Sequence, residues 1–314
     1  MTDGPCHVGC DVSLDALDLC TLNSGQAVAA RVANSPSAIA GLVRELAARP
    51  GVLVILEASG GYEAALLEAL WQAEVPVARV DPRRVHRFAE AQGEKAKTDR
   101  VDARVLAEFG ARMTPEPTLD PGQGTRHLKA LLTRRRSLAE RRKAEACQLK
   151  QARFADLRAM AQEEIARLKA LIAALDQRIA QLVTAQPALA ERAARLRSVP
   201  GIGPVTAAAC LASLTELGQL GRAQVASLTG VAPFARESGT WCGTRRCKGG
   251  RKELRDTLWM AATSAALHTS SRFATFYRSL RTAGKPHKLA ITAVIRKLVV
   301  TLNAIVRDNT TFAH

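Results

Sequence analysis

Hydrophobic residues between Cys6 and about Phe109 recur first with the two-residue period of strands and then with the spacing of helices. The turn residues Asn23-Ser24-Gly25 favour a hairpin between the second and third apolar segments. The continuous apolar run from Gly51 to Glu57 is typical of a strand buried on both faces. The pattern predicts strands at 7–12, 16–21, 27–32, 51–57 and 75–80, and helices at 36–48, 62–73 and 99–109.

That order predicts an α/β domain with a mixed sheet of the ribonuclease H-like kind. In such a sheet the first strand is central and its neighbour comes from the fourth. Residues 115–124 (PEPTLDPGQG) are rich in Pro and Gly and have no periodicity, so a linker is expected there. We therefore expect an N-terminal domain over residues 1–114.

Beyond the linker the chain is predicted to be mainly α-helical, with a basic helical region at 125–190 and a C-terminal domain at 191–314. Between Phe154 and Leu182 apolar residues are spaced three and four apart, as in the seam of a coiled coil. Such a seam needs a partner helix, which is either another helix of the same chain or a helix of a second copy.

The segment Pro200-Gly201-Ile202-Gly203 lies between two apolar helical stretches and resembles a helix-hairpin-helix. In that motif the glycines, here Gly201 and Gly203, let backbone N–H groups at a helix start approach a phosphate. The alternative is an ordinary helix turn.

The charge balance favours a partner rich in phosphate. Lys and Arg number 45 against 29 Asp and Glu, which gives a net charge of +16, and such a field attracts polyanions. The seven cysteines are odd in number and scattered, which fits a reducing cytoplasm better than a disulfide framework. Neither secretion nor membrane spanning is predicted.

Four acidic residues are candidates for metal ligands. Asp11 lies in an apolar strand, Glu57 ends a second strand, and Asp99 and Asp102 begin a helix on one face of it. Carboxylates that converge from separate segments suit two Mg²⁺ ions that bind the attacking and leaving oxygens of a phosphodiester. For any one of them alone, a helix cap or a loop residue is the more common role, and only the four together favour a metal site.

Clusters of Lys and Arg are candidates for contacts with nucleic acid, although a solvated helix face is the alternative for any one of them. The predicted contacts are Lys95, Lys97 and Arg104 near the acidic pair, Arg134, Arg135, Arg136, Arg141, Arg142 and Lys143 in the basic helix, and Arg236, Arg245, Arg246, Lys248 and Arg251 near Ser238.

Ser238 lies in a Gly-rich segment surrounded by those last cations. A serine hydroxyl attacks a phosphate only when its proton is removed and the developing charge is stabilised. This segment supplies cations but no evident base, so the pattern alone favours a turn residue. Cys242 and Cys247 have no second cysteine pair and no nearby His, which argues against zinc.

Taken together, these motifs resemble the IS110 family of transposases, in particular its IS1111-like branch. The resemblance rests on Asp11, Glu57 and KTDRVDARVLAEFG, then LRSVPGIGPVTAA, TGVAP, ESGTWCGTRRCKGGRKELRDTLWMAA and FYRSLRTAGKPHKLAITAVIRKLVVTLNAIVR. It covers nearly the whole chain.

The resemblance implies a RuvC-like domain with an Asp-Glu-Asp-Asp site for Mg²⁺, a coiled-coil insertion and a C-terminal transposase domain. Asp11, Glu57, Asp99 and Asp102 would be the ligands, and Ser238 would attack DNA to form a covalent intermediate. It also implies a structured non-coding guide RNA and a homo-oligomer, a dimer or tetramer, in which the two sites meet across protomers. Such an enzyme would work in the bacterial cytoplasm, at the nucleoid.

Two other functions stay open on the residues alone. The first is a metal-dependent junction resolvase or nuclease that uses water and leaves Ser238 as a loop residue. The second is a structural nucleic-acid-binding protein whose acidic residues only cap helices.

Overall fold

A computed structural model describes residues 6–23, 26–94, 99–235, 237–238, 241–268 and 270–313. For seven of these, only the backbone is described: Asn23, Asp99, Arg100, Glu237, Ser238, Trp241 and Cys242. The chain forms two compact units, Met1–Asp120 and Pro121–His314. Each unit has a core of its own and is described by itself.

The first unit is built on a mixed five-stranded sheet. Its strands are β1 (Cys6–Val12), β2 (Ala16–Asn23), β3 (Gln26–Ala33), β4 (Val52–Glu57) and β5 (Val77–Val80). The spatial order is β3-β2-β1-β4-β5, with β1 antiparallel to β2 and parallel to β4. The predicted mixed sheet, with the first strand central and next to the fourth, is therefore confirmed.

Helices cover both faces of this sheet, which explains why β4 is apolar throughout. The helices are α1 (Pro36–Ala47), α2 (Ala64–Gln72), α3 (Pro82–Ala91) and α4 (Asp99–Met113). On one face α1 and α2 pack against β1 and β4, and on the other α3 and α4 pack against Ile55 and Val80. The sequence pattern missed α3, which buries little besides Val85 and begins with Pro82 after an Asp81 cap.

The second unit begins with two long helices, α5 (Gln123–Gln151) and α6 (Ala155–Thr184), that pack together as a hairpin. Leu168 and Ile172 of the apolar seam pack on Leu138 of α5. At the start of the seam, in contrast, the side chains of Phe154 and Leu157 are 68% and 48% exposed. The seam thus finds its partner helix within the chain over its later part, and a coiled coil proper stays a prediction.

The remaining helices form the larger core of this unit. They are α7 (Pro187–Arg197), α8 (Pro204–Ser213), α9 (Arg222–Thr229), α10 (Lys252–Leu267), α11 (Arg272–Thr282) and α12 (His287–Arg307). Of the described helices, α12 is long and apolar enough to cross a membrane. Its residues from Ile291 to Leu302 lie in the core, so it is explained as a central packing helix.

Four two-residue strands lie between α9 and α10: β6 (Pro233–Phe234), β7 (Glu237–Ser238), β8 (Trp241–Cys242) and β9 (Arg246–Cys247). β6 pairs with β9, and β7 pairs with β8, both antiparallel. In chain order, the β7–β8 pair is therefore nested between the two strands of the β6–β9 pair.

The turn between α7 and α8 contains the two glycines of the predicted helix-hairpin-helix. Gly201 has a φ of +85°, and a Cβ there would lie 2.4 Å from the carbonyl oxygen of Ala261, so α10 packs directly on its backbone. Gly203 is the N-cap of α8, with open space where a Cβ would be. Packing accounts for Gly201, and the DNA-binding role of the motif stays a prediction.

Candidate active site and nucleic-acid interface

Asp11 and Glu57 lie side by side at the same edge of the sheet. The parallel register of β1 and β4 pairs Cys10 with Leu56, and each acidic residue is the next one along its strand. Neighbouring strands are about 4.8 Å apart, so the two Cα atoms are close. Both side chains are half-buried.

Helix α4 packs against this part of the sheet because β1 has a glycine there. A Cβ on Gly9 would lie 2.0 Å from the carbonyl oxygen of Ala103 and 2.4 Å from the amide nitrogen of Ala107. Farther along α4, Gly110 lies against the side chains of Ile55 and His7. The helix therefore runs antiparallel to β1, and its first turn lies towards the Asp11 end of the strand.

Alternation along the strands places the two carboxylates on the side that α4 covers. Asp11 shares a face with Gly9, and Glu57 shares a face with Ile55. Asp102, in the first turn of α4, precedes the residue that contacts Gly9 and is half-buried. The backbone thus brings three predicted ligands to one end of the junction between sheet and helix.

The fourth predicted ligand, Asp99, is the first residue of α4, and its side chain lies outside the description. Among the side chains that the structure describes, no three His, Cys, Asp or Glu groups lie close enough to bind a metal ion together. The donor set still fits a hard cation, because Mg²⁺ is bound in proteins through carboxylate oxygens. The arrangement therefore supplies suitable ligands along one edge, without a closed cage.

A further carboxylate, which the sequence analysis missed, lies in the same row. Asp18 of β2 is directly opposite Asp11 in the antiparallel register, so both side chains point to the same face. It is only 3% exposed and forms an ion pair with Arg31 of β3 at 3.5 Å. An acidic residue in the middle of the apolar segment ALDLC was the available signal.

The turn that follows Glu57 is fixed by another buried carboxylate. Glu63 accepts hydrogen bonds from the backbone N–H groups of Ser59 and Gly61, at 3.2 and 2.9 Å. Arg79 of β5 forms an ion pair with it at 3.2 Å. These contacts hold the chain where it leaves β4, so they restrict the position of Glu57.

Ser238 lies in the inner of the two short ladders of the second unit, where its Cα is paired with that of Trp241. Two arginines on neighbouring helices lie close to the outer ladder. They are Arg255 of α10 and Arg296 of α12, which oppose the rise in the pKa of the Cys247 thiol that partial burial causes. Arg296 was not among the predicted contacts, because it lies in a helix whose pattern is mainly that of a core helix.

Several cations that were predicted to contact nucleic acid are engaged with carboxylates. Arg135 pairs with Asp176 across the α5–α6 hairpin, and Arg251 pairs with Glu216. The other such pairs are Arg104 with Glu94 and Glu108, Arg136 with Glu140 and Glu253, and Arg141 with Glu164. A guanidinium that is paired with a carboxylate must weaken or break that ion pair before it can bind a phosphate.

Three other cations on α5 are not paired in this way. Within the described part of the chain, Arg134, Arg142 and Lys143 form no ion pair with a carboxylate, and Arg134 and Lys143 are exposed. Arg245, Arg246 and Lys248 are exposed beside the serine ladders. Lys95, Lys97 and Arg236 lie outside the described residues.

Comparison with known proteins decides the family. Residues 8–152 match a family model of DEDD transposases of the IS110 type, and residues 193–278 match the transposase IS116/IS110/IS902 family. The pilin gene-inverting protein of Moraxella bovis is 30% identical over 267 residues, which are 82% of this chain and 81% of that protein. The chain belongs to the IS110 family of transposases.

Other relatives agree with this assignment. The pilin gene-inverting protein of Moraxella lacunata is 30% identical over the same shares of both chains. A 43.6 kDa protein of insertion element IS110 from Streptomyces coelicolor is 32% identical over 117 residues, 37% of this chain and 29% of that protein. The chain is therefore a DNA transposase or recombinase, and its IS1111-like branch stays a prediction.

Among solved structures, Thermus thermophilus RuvC in complex with a Holliday junction substrate is similar to the transposase over 37% of this chain and 100% of RuvC. The sequence identity is 20% and the TM-score is 0.30. The fold of the first unit is defined by its own strand order and register.

Proposed function

We propose that this transposase cuts and rejoins DNA with two chemical groups, a cluster of carboxylates and a serine hydroxyl. The carboxylates are Asp11, Glu57, Asp99 and Asp102, and the hydroxyl is that of Ser238. The observation that carries the proposal is the convergence of Asp11, Glu57 and Asp102 at one edge of the sheet, through the close contact of α4 with Gly9.

In the proposed cleavage step, Ser238 Oγ forms a bond to a DNA phosphorus and the bond from that phosphorus to the 3′-oxygen breaks. The serine proton is taken up by the departing 3′-oxygen, directly or through a base, so the products are a phosphoserine diester and a 3′-hydroxyl. Rejoining is the reverse attack by a 3′-hydroxyl of the new partner strand, which frees the serine. Arg245, Arg246 and Lys248 follow Ser238 closely in the sequence. They would stabilise the negative charge that develops on the attacked phosphate.

The carboxylates would hold Mg²⁺ through their oxygens, and this is the part of the proposal that their donor chemistry supports. When bound, Mg²⁺ would stabilise negative charge on the phosphate and the leaving oxygen. Asp18, which is buried directly opposite Asp11, would add negative potential. Glu63 would hold the turn after Glu57 in place.

The partners beyond DNA follow from the resemblance to the family. We propose a structured non-coding RNA as guide, bound mainly through backbone and shape, with Arg134, Arg142 and Lys143 among the phosphate contacts. We also propose a homo-oligomer at the bacterial nucleoid. The exposed side chains of Phe154, Leu157 and Met160 at the turn of the α5–α6 hairpin support a contact between copies.

The proposal is tested by trapping. The protein, purified from its host with its bound RNA, is incubated with duplex DNA that carries the element ends and is then denatured. Wild-type protein should keep DNA attached through Ser238, Ser238→Ala should keep none, and Ser279→Ala, on the surface of α11, should behave as wild type. Cleavage without attached DNA would instead favour a nuclease that uses water.

A further inference from the structure

Between α9 and α10, the described strands β6 to β9 form an arm, and Ser238 lies on β7 within it. It leaves α9 after Gly230 and returns at Gly249, and its two short ladders lie one beyond the other. Side chains along β6 and β9 are exposed. The contacts at the base of the arm therefore contribute to its orientation.

At the base, the two ends of the arm meet backbone to backbone. A Cβ on Gly250 would lie 2.2 Å from the amide nitrogen of Gly230, and a Cβ on Gly230 would lie 2.3 Å from the carbonyl oxygen of Gly249. All three glycines have φ between +69° and +74°, a conformation that other residues rarely adopt. Only glycine therefore allows this closure.

Two arginines hold the closed base. The backbone N–H of Arg251 donates to the carbonyl oxygen of Leu228 at 2.7 Å. Arg255 donates to the carbonyl oxygens of Gly249 and Gly230, at 2.8 and 3.4 Å. These hydrogen bonds tie the returning strand to the end of α9.

The guanidinium of Arg251 extends this network to the loop after α8. It donates to both carboxylate oxygens of Glu216, at 2.9 and 2.6 Å, and to the carbonyl oxygen of Ser213 at 2.5 Å. Such a two-pronged contact fixes the direction of both groups as well as their distance. Glu216 therefore anchors the point where the arm rejoins the core.

We propose that Glu216 is a positioning residue for the serine, acting through Arg251 at the base of the arm. The inference rests on the proposed function of Ser238. It also gives Arg251 a role other than the predicted phosphate contact, because its guanidinium is directed at Glu216 and Ser213.

The reason is that a change of angle at the base of the arm is amplified at the serine, which lies several residues away. An extended chain spans about 3.3–3.6 Å per residue, and several residues separate Gly230 from Ser238. A small rotation at the base therefore moves the serine by ångströms. A misplacement of about 1 Å can slow a reaction about 10²-fold, so loss of the clamp should impair the attack by the serine more than the binding of DNA.

The test measures the rate of covalent adduct formation at saturating element-end DNA, with the full-length protein and its bound RNA. Glu216→Gln and Arg251→Lys are compared with Asp308→Asn, which removes a similar two-pronged pair with Arg307 at the end of α12. We expect a loss of about 10²-fold in the first two variants and none in the control. DNA affinity and its salt dependence should stay at wild-type values.

Urea unfolding of each variant shows the folded fraction, so that rates are compared per folded molecule. The exchange of partners, Glu216→Arg with Arg251→Glu, should restore part of the adduct rate that each single change removes. A wild-type rate in Glu216→Gln would overturn the proposal. So would a flatter salt dependence in Arg251→Gln, which removes the charge, because it would make Arg251 a phosphate contact.

Failure of this inference can be told from failure of the proposed function. If Ser238→Ala still forms the covalent adduct, the serine mechanism itself is wrong. If Ser238→Ala forms none while Glu216→Gln forms it at the wild-type rate, the serine mechanism stands and the positioning role falls.

Discussion

The two candidate sites of this transposase are held in place by different kinds of structure. Asp11 and Glu57 extend from strands of seven and six residues, most of whose side chains are buried under helices. Ser238 lies on a strand of two residues, and Phe234 on the neighbouring ladder is 41% exposed. The carboxylates are positioned by the core, and the serine by a few local contacts.

This difference has an energetic consequence. Moving the strand ends of the first unit would disturb a whole buried cluster, so their geometry is as stable as the domain itself. The arm is joined to the core through a smaller set of contacts, among them the hydrogen bonds of Arg251 and Arg255. A nucleophile held by few local contacts, such as Ser238, suits a reaction that releases one DNA strand and accepts another.

The largest expected effect comes from removing a charge at the rigid site. Asp11→Asn or Asp102→Asn should lower strand cleavage by roughly 10²–10⁴-fold, because each loses several kcal/mol of metal-dependent stabilisation in the transition state. DNA affinity should change little, since the cations that bind phosphate remain. Cleavage is measured on a labelled duplex with Mg²⁺ present.

Asp15→Asn is the matched control for these variants, because Asp15 is an exposed residue in the turn after β1. It should cleave as wild type does. Full cleavage by Asp11→Asn or Asp102→Asn would show that the acidic row has a structural role alone.

A second variant changes the geometry of the carboxylate site without changing its charges. Gly9→Ala places a Cβ about 2.0 Å from a backbone oxygen of α4, so the helix must move away from β1. Overpacking of this kind costs about 1–3 kcal/mol or more, and cleavage should fall with it. The free energy of unfolding is measured with urea.

Gly41→Ala is the control for the same substitution. Gly41 lies within α1 with nothing near the position of a Cβ, so the change should raise the free energy of unfolding by about 0.5–1 kcal/mol. Equal stability in the two variants would contradict the close contact between α4 and β1.

The order of the sheet could be predicted from the sequence because burial on alternate or on both faces leaves a periodic pattern, as in the apolar run of β4. Asp11 and Glu57 could be found at the ends of such segments. Glu63 and Glu216 could not, because their roles depend on contacts with distant residues, Arg79 and Arg251. A carboxylate in a pattern gives no sign of which arginine it will meet.

The same limit explains why the predicted nucleic-acid contacts form two groups. Arg134 and Arg135 are adjacent in the sequence, yet Arg135 is directed at Asp176 of α6 and Arg134 is exposed. Helical periodicity distinguishes the two faces only once the partner helix is known. Charge counts could predict a basic helix but not its binding face.

A third prediction distinguishes the cations of α5 that bind nucleic acid from Arg135, which stabilises the α5–α6 hairpin. Replacing Arg134, Arg142 and Lys143 with Gln should weaken nucleic-acid binding and reduce the slope of log K against log salt by about 0.7–0.9 for each lost phosphate contact. Arg135→Gln should leave the slope unchanged and lower the stability of the hairpin. Binding is measured by filter retention over a salt series.

A slope reduced as much by Arg135→Gln as by any one of the three would mean that its pair with Asp176 opens to bind phosphate.

The smallest expected effect concerns the pair of Glu216 with Arg251 at the base of the arm and its dependence on pH. The hydrogen bonds from Arg251 lower the pKa of Glu216 from its usual value of about 4.5. A depressed pKa means that the pair stabilises the folded state fully above about 4.5, and that this contribution is lost as the pH falls through the lowered value. Since the side chains are 37% exposed, we expect at most about 1 kcal/mol. Urea unfolding of wild type and Glu216→Gln should therefore differ most at neutral pH and converge in acid, whereas a constant difference would mean that the charge of Glu216 contributes nothing to holding the arm.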